Sequence, residues 1–341
     1  HYAFFYKPRD LNKFFFTRDA MGVKPLYYYL DNQNIAISSD ISTLASNIDK
    51  QISSSSAFEA IVFGGHTGSN TIYKKIHSVI PGYLYNYDLN INQLSKSLIT
   101  INTQISEDFD LTDLIVTSIS EQSDLKTPAA CLVSSGIDSR IIKKVLGKDS
   151  PIQAITISSS LFNLLEEDLN NDEDTKQISL STNYIQMYFK DWLNAYGTIP
   201  AHNNFFVLCA VYKELKNIGI NQSAAKLKVV LTGEGADEYF GGYGRYPTLK
   251  SYLNGNESYW INQLRDITSN WMYLMNSRLH HSSIKWMNAK SFPIEDIITQ
   301  HVSNINDFDE TTSLSIEKLS QYDIKTNLLY GLLKQDVAGM L

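Results

Sequence analysis

Hydrophobic and polar positions divide the chain into two textures. Over residues 1–95, short runs at 2–6, 13–17, 25–30 and 35–38 alternate with turn signals: Pro8-Arg9-Asp10, Met21-Gly22 and Asp31-Asn32. Runs of that length bounded by such residues predict strands, and 26–38 predicts a hairpin whose turn is Asp31-Asn32-Gln33-Asn34. Pro81-Gly82 separates two further apolar runs. Near Ser106 the period changes. Leu111, Leu114, Ile115 and Ile119 share one helical face behind Asp110, and 129–133 is a wholly apolar strand. Ile141, Ile142, Val145 and Leu146 recur at helical spacing up to Gly147, and a second strand follows over 152–157. Tyr184–Phe189 reads as a third strand, 205–217 as a helix and 229–232 as a fourth strand. Beyond Tyr246 the pattern is helical. Apolar strands alternating with helices predict an α/β domain with a parallel sheet covered on both faces, over 106–341, preceded by a β-rich domain over 1–95.

Composition narrows the classes. A length of 341 residues suits two domains, and 43% hydrophobic residues suffice for buried cores. The net charge of −7 and pI near 5.5 argue against a nucleic-acid binder, which needs a basic stripe. The apolar runs are far shorter than the roughly 20 residues that span a bilayer. Cys131 and Cys209 both lie in apolar runs, which predicts buried thiols and a reducing, cytoplasmic setting. Neither H-x-x-x-H nor C-x-x-C occurs, which argues against a zinc site. The chain opens on His1 within a strand-like run, with no signal peptide in view, and closes within a helix-like one. Both ends read as cut from a longer protein.

Two segments carry chemistry. Val133-Ser134-Ser135-Gly136-Ile137-Asp138-Ser139 joins a buried strand to a helix. Small residues there offer backbone N–H groups and a helix N-terminus to phosphate oxygens. Ser134 and Ser139 add hydroxyls, and Asp138 can hold a magnesium ion. The Walker spacing and its lysine are absent, and a plain strand-to-helix turn with a serine cap accounts for the same residues. The second segment, Leu231-Thr232-Gly233-Glu234-Gly235-Ala236-Asp237-Glu238, places three carboxylates and two glycines after a strand. Carboxylates so crowded want a metal or cationic partner. Gly241, Gly242 and Gly244 then sit among aromatics ahead of Arg245. An acidic solvated loop is the plain alternative. Together the segments describe a nucleotide site at the carboxyl edge of a parallel sheet.

These residues resemble the asparagine synthetase family. Residues 134–139 are similar to its S-G-G-x-D-S pyrophosphatase loop, and 231–243 to its L-S-G-E-G-x-D-E-x-F-G-G-Y segment. Arg18-Asp19-Ala20-Met21-Gly22-Val23-Lys24-Pro25-Leu26-Tyr27-Tyr28 resembles the closing part of its N-terminal glutaminase domain. Asn327-Leu328-Leu329, with 334–340, resembles its N-L-L-R-x-D-R-x-S-M helix. The resemblance implies a PP-loop, adenine-nucleotide hydrolase-like synthetase domain behind the remnant of an Ntn-type glutaminase domain. It implies a ligase that adenylates a carboxylate, aspartate first, with ATP and magnesium, then transfers ammonia from glutamine to give the amide, AMP and pyrophosphate. Another carboxylate, such as a sugar acid or biosynthetic intermediate, is the alternative substrate, and a degenerate nucleotide-binding scaffold the alternative class. Carried over by position, Ser134, Ser135, Gly136, Ile137, Asp138 and Ser139 wrap the phosphates. Val133 and Ile157 flank adenine, Thr232 and Gly233 contact the nucleotide, Asp138 and Asp237 carry magnesium, and Glu234 faces the acyl-adenylate and the attacking amine. The expected partners are small molecules and a second copy in a homodimer.

Departures from the pattern set further expectations. Ser135 stands where the family has glycine, so its Cβ would crowd a phosphate or forbid a positive φ. Arg140 replaces a small residue, Asp40 a glutamate, and Thr198-Ile199-Pro200 the family's D-E-P. The glutaminase cysteine would precede His1 and a catalytic lysine would follow Leu341, so the 341 residues alone are expected to lack glutaminase activity and to be inactive as a ligase.

Overall fold

The computed structural model describes residues 1–31, 34–48, 50–100, 109–123, 127–158, 174–180, 183–196, 204–218, 227–268, 274–275, 281–290, 292–305, 315–326 and 328. The short runs near the start form β1 (Ala3–Tyr6), β2 (Lys13–Arg18), β3 (Tyr27–Leu30) and β4 (Ile35–Ser38). Two helices follow, α1 (Ile41–Ser46) and α2 (Ser54–Phe63), then β5 (Ile76–Ser78), β6 (Tyr83–Asp88) and β7 (Gln93–Leu98). The hairpin forms as expected: β3 and β4 pair with Tyr27 opposite Ser38, and Asp31 Oδ1 accepts from the Asn34 N–H at 2.7 Å. One antiparallel sheet has the order β1-β2-β6-β7, the other β4-β3-β5. Phe16, Tyr85 and Tyr87 are buried between them, and burial pushes the Tyr28 hydroxyl up to about 12. Asp40 caps α1, accepting from the N–H groups of Ser42 and Thr43.

After α3 (Leu111–Ser123) come β8 (Ala129–Leu132), α4 (Ile137–Leu146), β9 (Gln153–Ser158) and β10 (Thr175–Ser179). Next are α5 (Asn183–Tyr196), α6 (Asn204–Ile218) and β11 (Val229–Leu231). The helix expected behind Asp110 is present, but Leu111 and Leu114 are about half exposed, because α3 packs chiefly on α4. The strand expected at Tyr184–Phe189 is instead the first half of α5. Trp192 and Tyr196, one turn apart, bury that helix against Phe205 and Cys209 of α6. The third strand is β10, whose sequence TKQIS buries Ile178 alone and so carries no apolar run.

The strands β8 to β11 form a parallel sheet of order β10-β9-β8-β11. Its two faces are covered separately. Ala129, Cys131, Val133, Ile152 and Ala154 pack with Ile142 and Leu146 of α4, whereas Ala130, Ile155 and Ile178 pack with Val211, Tyr212 and Leu215 of α6. The chain runs from β8 outward to β10, then returns to lay β11 on the other side of β8. The carboxyl ends of β8 and β11 therefore form a topological switch point, where loops diverge and leave a crevice.

Among the described residues the remaining helices are α7 (Ala236–Phe240), α8 (Arg245–Leu253), α9 (Tyr259–Arg265), α10 (His281–Ala289), α11 (Ile294–Ser303) and α12 (Ile316–Asp323). Leu249, Ile261, Ile284, Ile298 and Leu319 are fully buried in their shared core, each worth about 1.5–3 kcal/mol of apolar transfer. Val62 and Phe63 of α2 lie in that same core.

Candidate nucleotide site at the sheet edge

The two chemical segments follow β8 and β11, so the switch point brings them together. The contact is close: a Cβ on Gly233 would stand 3.0 Å from Asp138 Cβ and 3.0 Å from the Ser139 nitrogen. Glycine here lets one loop lie on the other. Burial, then the Asp237 charge, raise the Asp138 carboxyl above its usual range.

The first loop braces itself. The Ser139 hydroxyl, buried beneath it, accepts from the Ser134 N–H at 2.9 Å, and the two serine hydroxyls lie 3.1 Å apart. The Gly136 N–H donates to Ser134 Oγ at 3.2 Å. Ser134 and Ser139 thus shape the turn that presents Ser135, Gly136 and Ile137, all exposed. Gly136 begins α4 in extended conformation with no side-chain cap, in place of the serine cap of the plain alternative. Ser135 fits without strain: among the described residues Asn92 is the one non-glycine with positive φ. Of the two ways a Cβ there was expected to interfere, the bar on a positive φ does not arise.

The second loop is held from outside. Gly235, at φ +97°, turns the chain into α7, with Leu328 packed 3.4 Å from where its Cβ would be. Glu238 is fully buried and accepts from the Tyr243 hydroxyl, and the Ser320 hydroxyl of α12 donates to its carbonyl at 2.6 Å. A Cβ on Gly242 would overlap Asp237 Oδ1, so this glycine leaves room for that carboxylate. The Arg245 guanidinium lies 4.1 Å over the Tyr243 ring and donates through Nε to Asp323 Oδ2 at 3.2 Å. Its Nη2 is 2.6 Å from the same oxygen, a charge contact rather than an aligned hydrogen bond. Tyr246 donates to that oxygen at 2.6 Å. Burial still raises the Asp323 carboxyl, against the opposing effect of Arg245 and Tyr246.

Asp138, Ser139 and Gly233 are therefore adjacent, with Asp237 near enough for its charge to act on Asp138 and with Thr232 and Glu234 half-buried on the same turn. Val133 and Ile157 are not brought together. They belong to clusters on opposite faces of the sheet, Val133 beside α4 and Ile157 beside α6. Val133 and Ser135 instead line a groove of about 840 Å³ along α4, with Arg140, Lys143 and Lys148 on its walls. Thr198-Ile199-Pro200 and 334–340 lie outside the described residues. No group of three or more His, Cys, Asp or Glu poised for a metal occurs among the described residues. Two carboxylates close enough for one charge to act on the other are nonetheless a donor set that fits magnesium, which takes one or two carboxylates and completes its shell from phosphates and water.

Sequence reasoning missed the outer supports. Asp323 and Ser320 lie some 80 positions from the groups they hold and form no local pattern with them. A carboxylate within the apolar run Ala57-Phe58-Glu59-Ala60-Ile61-Val62-Phe63 was a readable signal of a buried polar partner.

Comparison with known proteins gives the family. A family model described as asparagine synthase matches residues 110–341, and one described as a glutamine amidotransferase domain matches 1–97. The chain is 25% identical over 251 residues to "Asparagine synthetase [glutamine-hydrolyzing] 1" of Bacillus subtilis, covering 67% of this chain and 37% of that protein. It is 23% identical over 274 residues to "Putative asparagine synthetase [glutamine-hydrolyzing] 2" of Methanocaldococcus jannaschii, covering 73% of this chain and 50% of that protein. The chain thus spans between about a third and a half of these curated relatives.

Proposed function

Because the chain belongs to the asparagine synthase family, we propose that its sheet edge binds Mg-ATP and serves an amide-forming ligase that activates a carboxylate, aspartate first, as the acyl-adenylate. The observation that carries this reading is the packing of Gly233 against Asp138 and Ser139 at the switch point, which makes one crevice of two loops.

In this reading the carboxylate oxygen displaces pyrophosphate from the α-phosphorus of ATP. Ammonia then attacks the acyl carbon, giving the amide and releasing AMP. Asp138 and Asp237 would hold the magnesium ion, which supplies positive charge to the pyrophosphate oxygens as they leave. Ser135 and Ile137 offer backbone N–H groups to the same oxygens, and the Ser134–Ser139 bonds, with the Gly136 N–H held by Ser134, keep that turn from reorganising as charge develops. Thr232 and Gly233 lie against the nucleotide, with the bare Gly233 backbone permitting close approach. Glu234, on the same half-buried turn, faces the acyl carbon and the incoming ammonia as an electrostatic anchor or proton acceptor. The residues matched to the glutamine amidotransferase model suggest glutamine as the ammonia source.

Titration calorimetry with Mg-ATP, followed by ATP–pyrophosphate exchange with aspartate, tests the reading. Micromolar Mg-ATP binding is the expected result for the 341 residues, and aspartate-dependent exchange for the full-length protein. Exchange that needs a different acid would move the substrate while keeping the chemistry. An absence of Mg-ATP binding would overturn the site and leave a nucleotide-free scaffold.

A further inference from the structure

A second polar cluster, outside the two loops, joins the N-terminal part of the chain to the acidic segment. Glu59 of α2 is buried and accepts from the Thr67 N–H at 3.1 Å, the Thr67 hydroxyl at 2.7 Å and Asn70 Nδ2 at 3.1 Å. His301 of α11, also buried, sets Nδ1 2.9 Å from Glu59 Oε1, and His66 Nδ1 lies 3.8 Å from Oε2. Burial alone would raise the Glu59 carboxyl. Hydrogen bonds and charge from His301 and His66 overcome it and hold the group below the usual carboxylate range. Glu59 Oε1 thus stands against one ring nitrogen of His301. The other ring nitrogen of His301 meets the Tyr322 hydroxyl of α12 at 2.8 Å, while Phe63 stacks on the imidazole with centroids 3.8 Å apart.

Tyr322 is one of three consecutive attachments along α12. Ser320 and Asp323, three positions apart, share a face toward the acidic segment: Ser320 holds the Glu238 carbonyl, and Asp323 holds Arg245 and Tyr246. Tyr322 points to His301 instead, with Leu319 fully buried alongside. A rotation of α12 that relaxed one attachment would disturb the others. We propose that α12 is a strut, and that Glu59 and His301 are positioning residues which set its rotation and thereby place α7, with Asp237 and Glu238, against the first loop. In terms of the ligase reading, on which its catalytic meaning rests, residues 54–72 hold the magnesium-bearing half of the nucleotide site.

The test compares wild type with Tyr322→Phe, Glu59→Gln and His301→Gln in the 341-residue protein. Hydrogen exchange at residues 239–242, whose amides of Tyr239, Gly241 and Gly242 bond to Gly235 and Asp237 carbonyls, reads α7 directly. The expected result is exchange at least tenfold faster at 239–242 in the variants, with exchange in β8 and β9 unchanged. Mg-ATP affinity should fall about tenfold, while affinity for ATP without magnesium stays within twofold. A general loss of packing would not separate those two affinities. Unchanged exchange at 239–242 in folded variants would overturn the inference. Tyr322→Phe removes a single hydroxyl and decides the matter should the other two fail to fold. If wild type binds no Mg-ATP, the proposed function fails, and the exchange comparison alone still decides whether α12 is a strut.

Discussion

The two loops of the candidate site reach adjacent positions by opposite means. Residues 133–139 are braced by their own serines within five positions, so the turn is a local property of its sequence. Residues 232–246 are held by α12 and Leu328, more than 70 positions downstream. The first loop can be reshaped by changing itself, whereas the second can be lost by changes far from it. A site made of one self-sufficient and one supported half should fail asymmetrically.

The largest expected effect is on the supported half. Asp323→Ala leaves Arg245 without its buried partner and should cost about 3–5 kcal/mol in urea unfolding, with Mg-ATP binding lost as well. Stability retained within about 1 kcal/mol would show that the second loop also holds itself. Glu59→Gln removes a charge-assisted cluster and should cost about 1.5–3 kcal/mol at pH 7. Its sign with pH is fixed by the depressed native carboxyl. The contribution is complete above the ordinary carboxyl value of 4.5 and fades as pH falls toward the lower native value. The wild-type advantage over Glu59→Gln should therefore narrow below about pH 4.5, and an advantage that grows with acid would contradict the assignment.

Gly242→Ala should displace Asp237 and cost about 1–3 kcal/mol of packing, read as weakened Mg-ATP binding in calorimetry. On the self-sufficient half, Ser139→Ala should cost about 1 kcal/mol and leave α7 exchange untouched. Ser135→Gly should do least. Since Ser135 needs no positive φ, the change should lower stability by no more than about 1 kcal/mol and move Mg-ATP affinity less than twofold.

The same asymmetry governs how far the sequence could be read. Strands β8, β9 and β11 announce themselves as apolar runs, and their carboxyl ends locate both loops along the chain. Edge strand β10 does not, because a strand with one buried side chain leaves no periodic trace. The aromatic run at 184–189 suited strand and helix alike until α6 supplied a partner for Trp192 and Tyr196. Pairings such as Glu59 with His301, 242 positions apart, rest on tertiary placement and have no period to detect. Val133 and Ile157, each at the end of an apolar strand, look equivalent along the chain, yet strand parity puts them on opposite sheet faces.

The packing of Val62 and Phe63 into the helical core also bears on how such a chain could be recombined. A crossover placed between 97 and 110, where the two family models part, would import α2 with the wrong partners for Leu249, Ile298 and Tyr322. A chimera would inherit a mismatched seam unless its breakpoint fell before Ser54 or carried 54–63 along with the helices it serves. The unit of inheritance for this core is discontinuous in the gene.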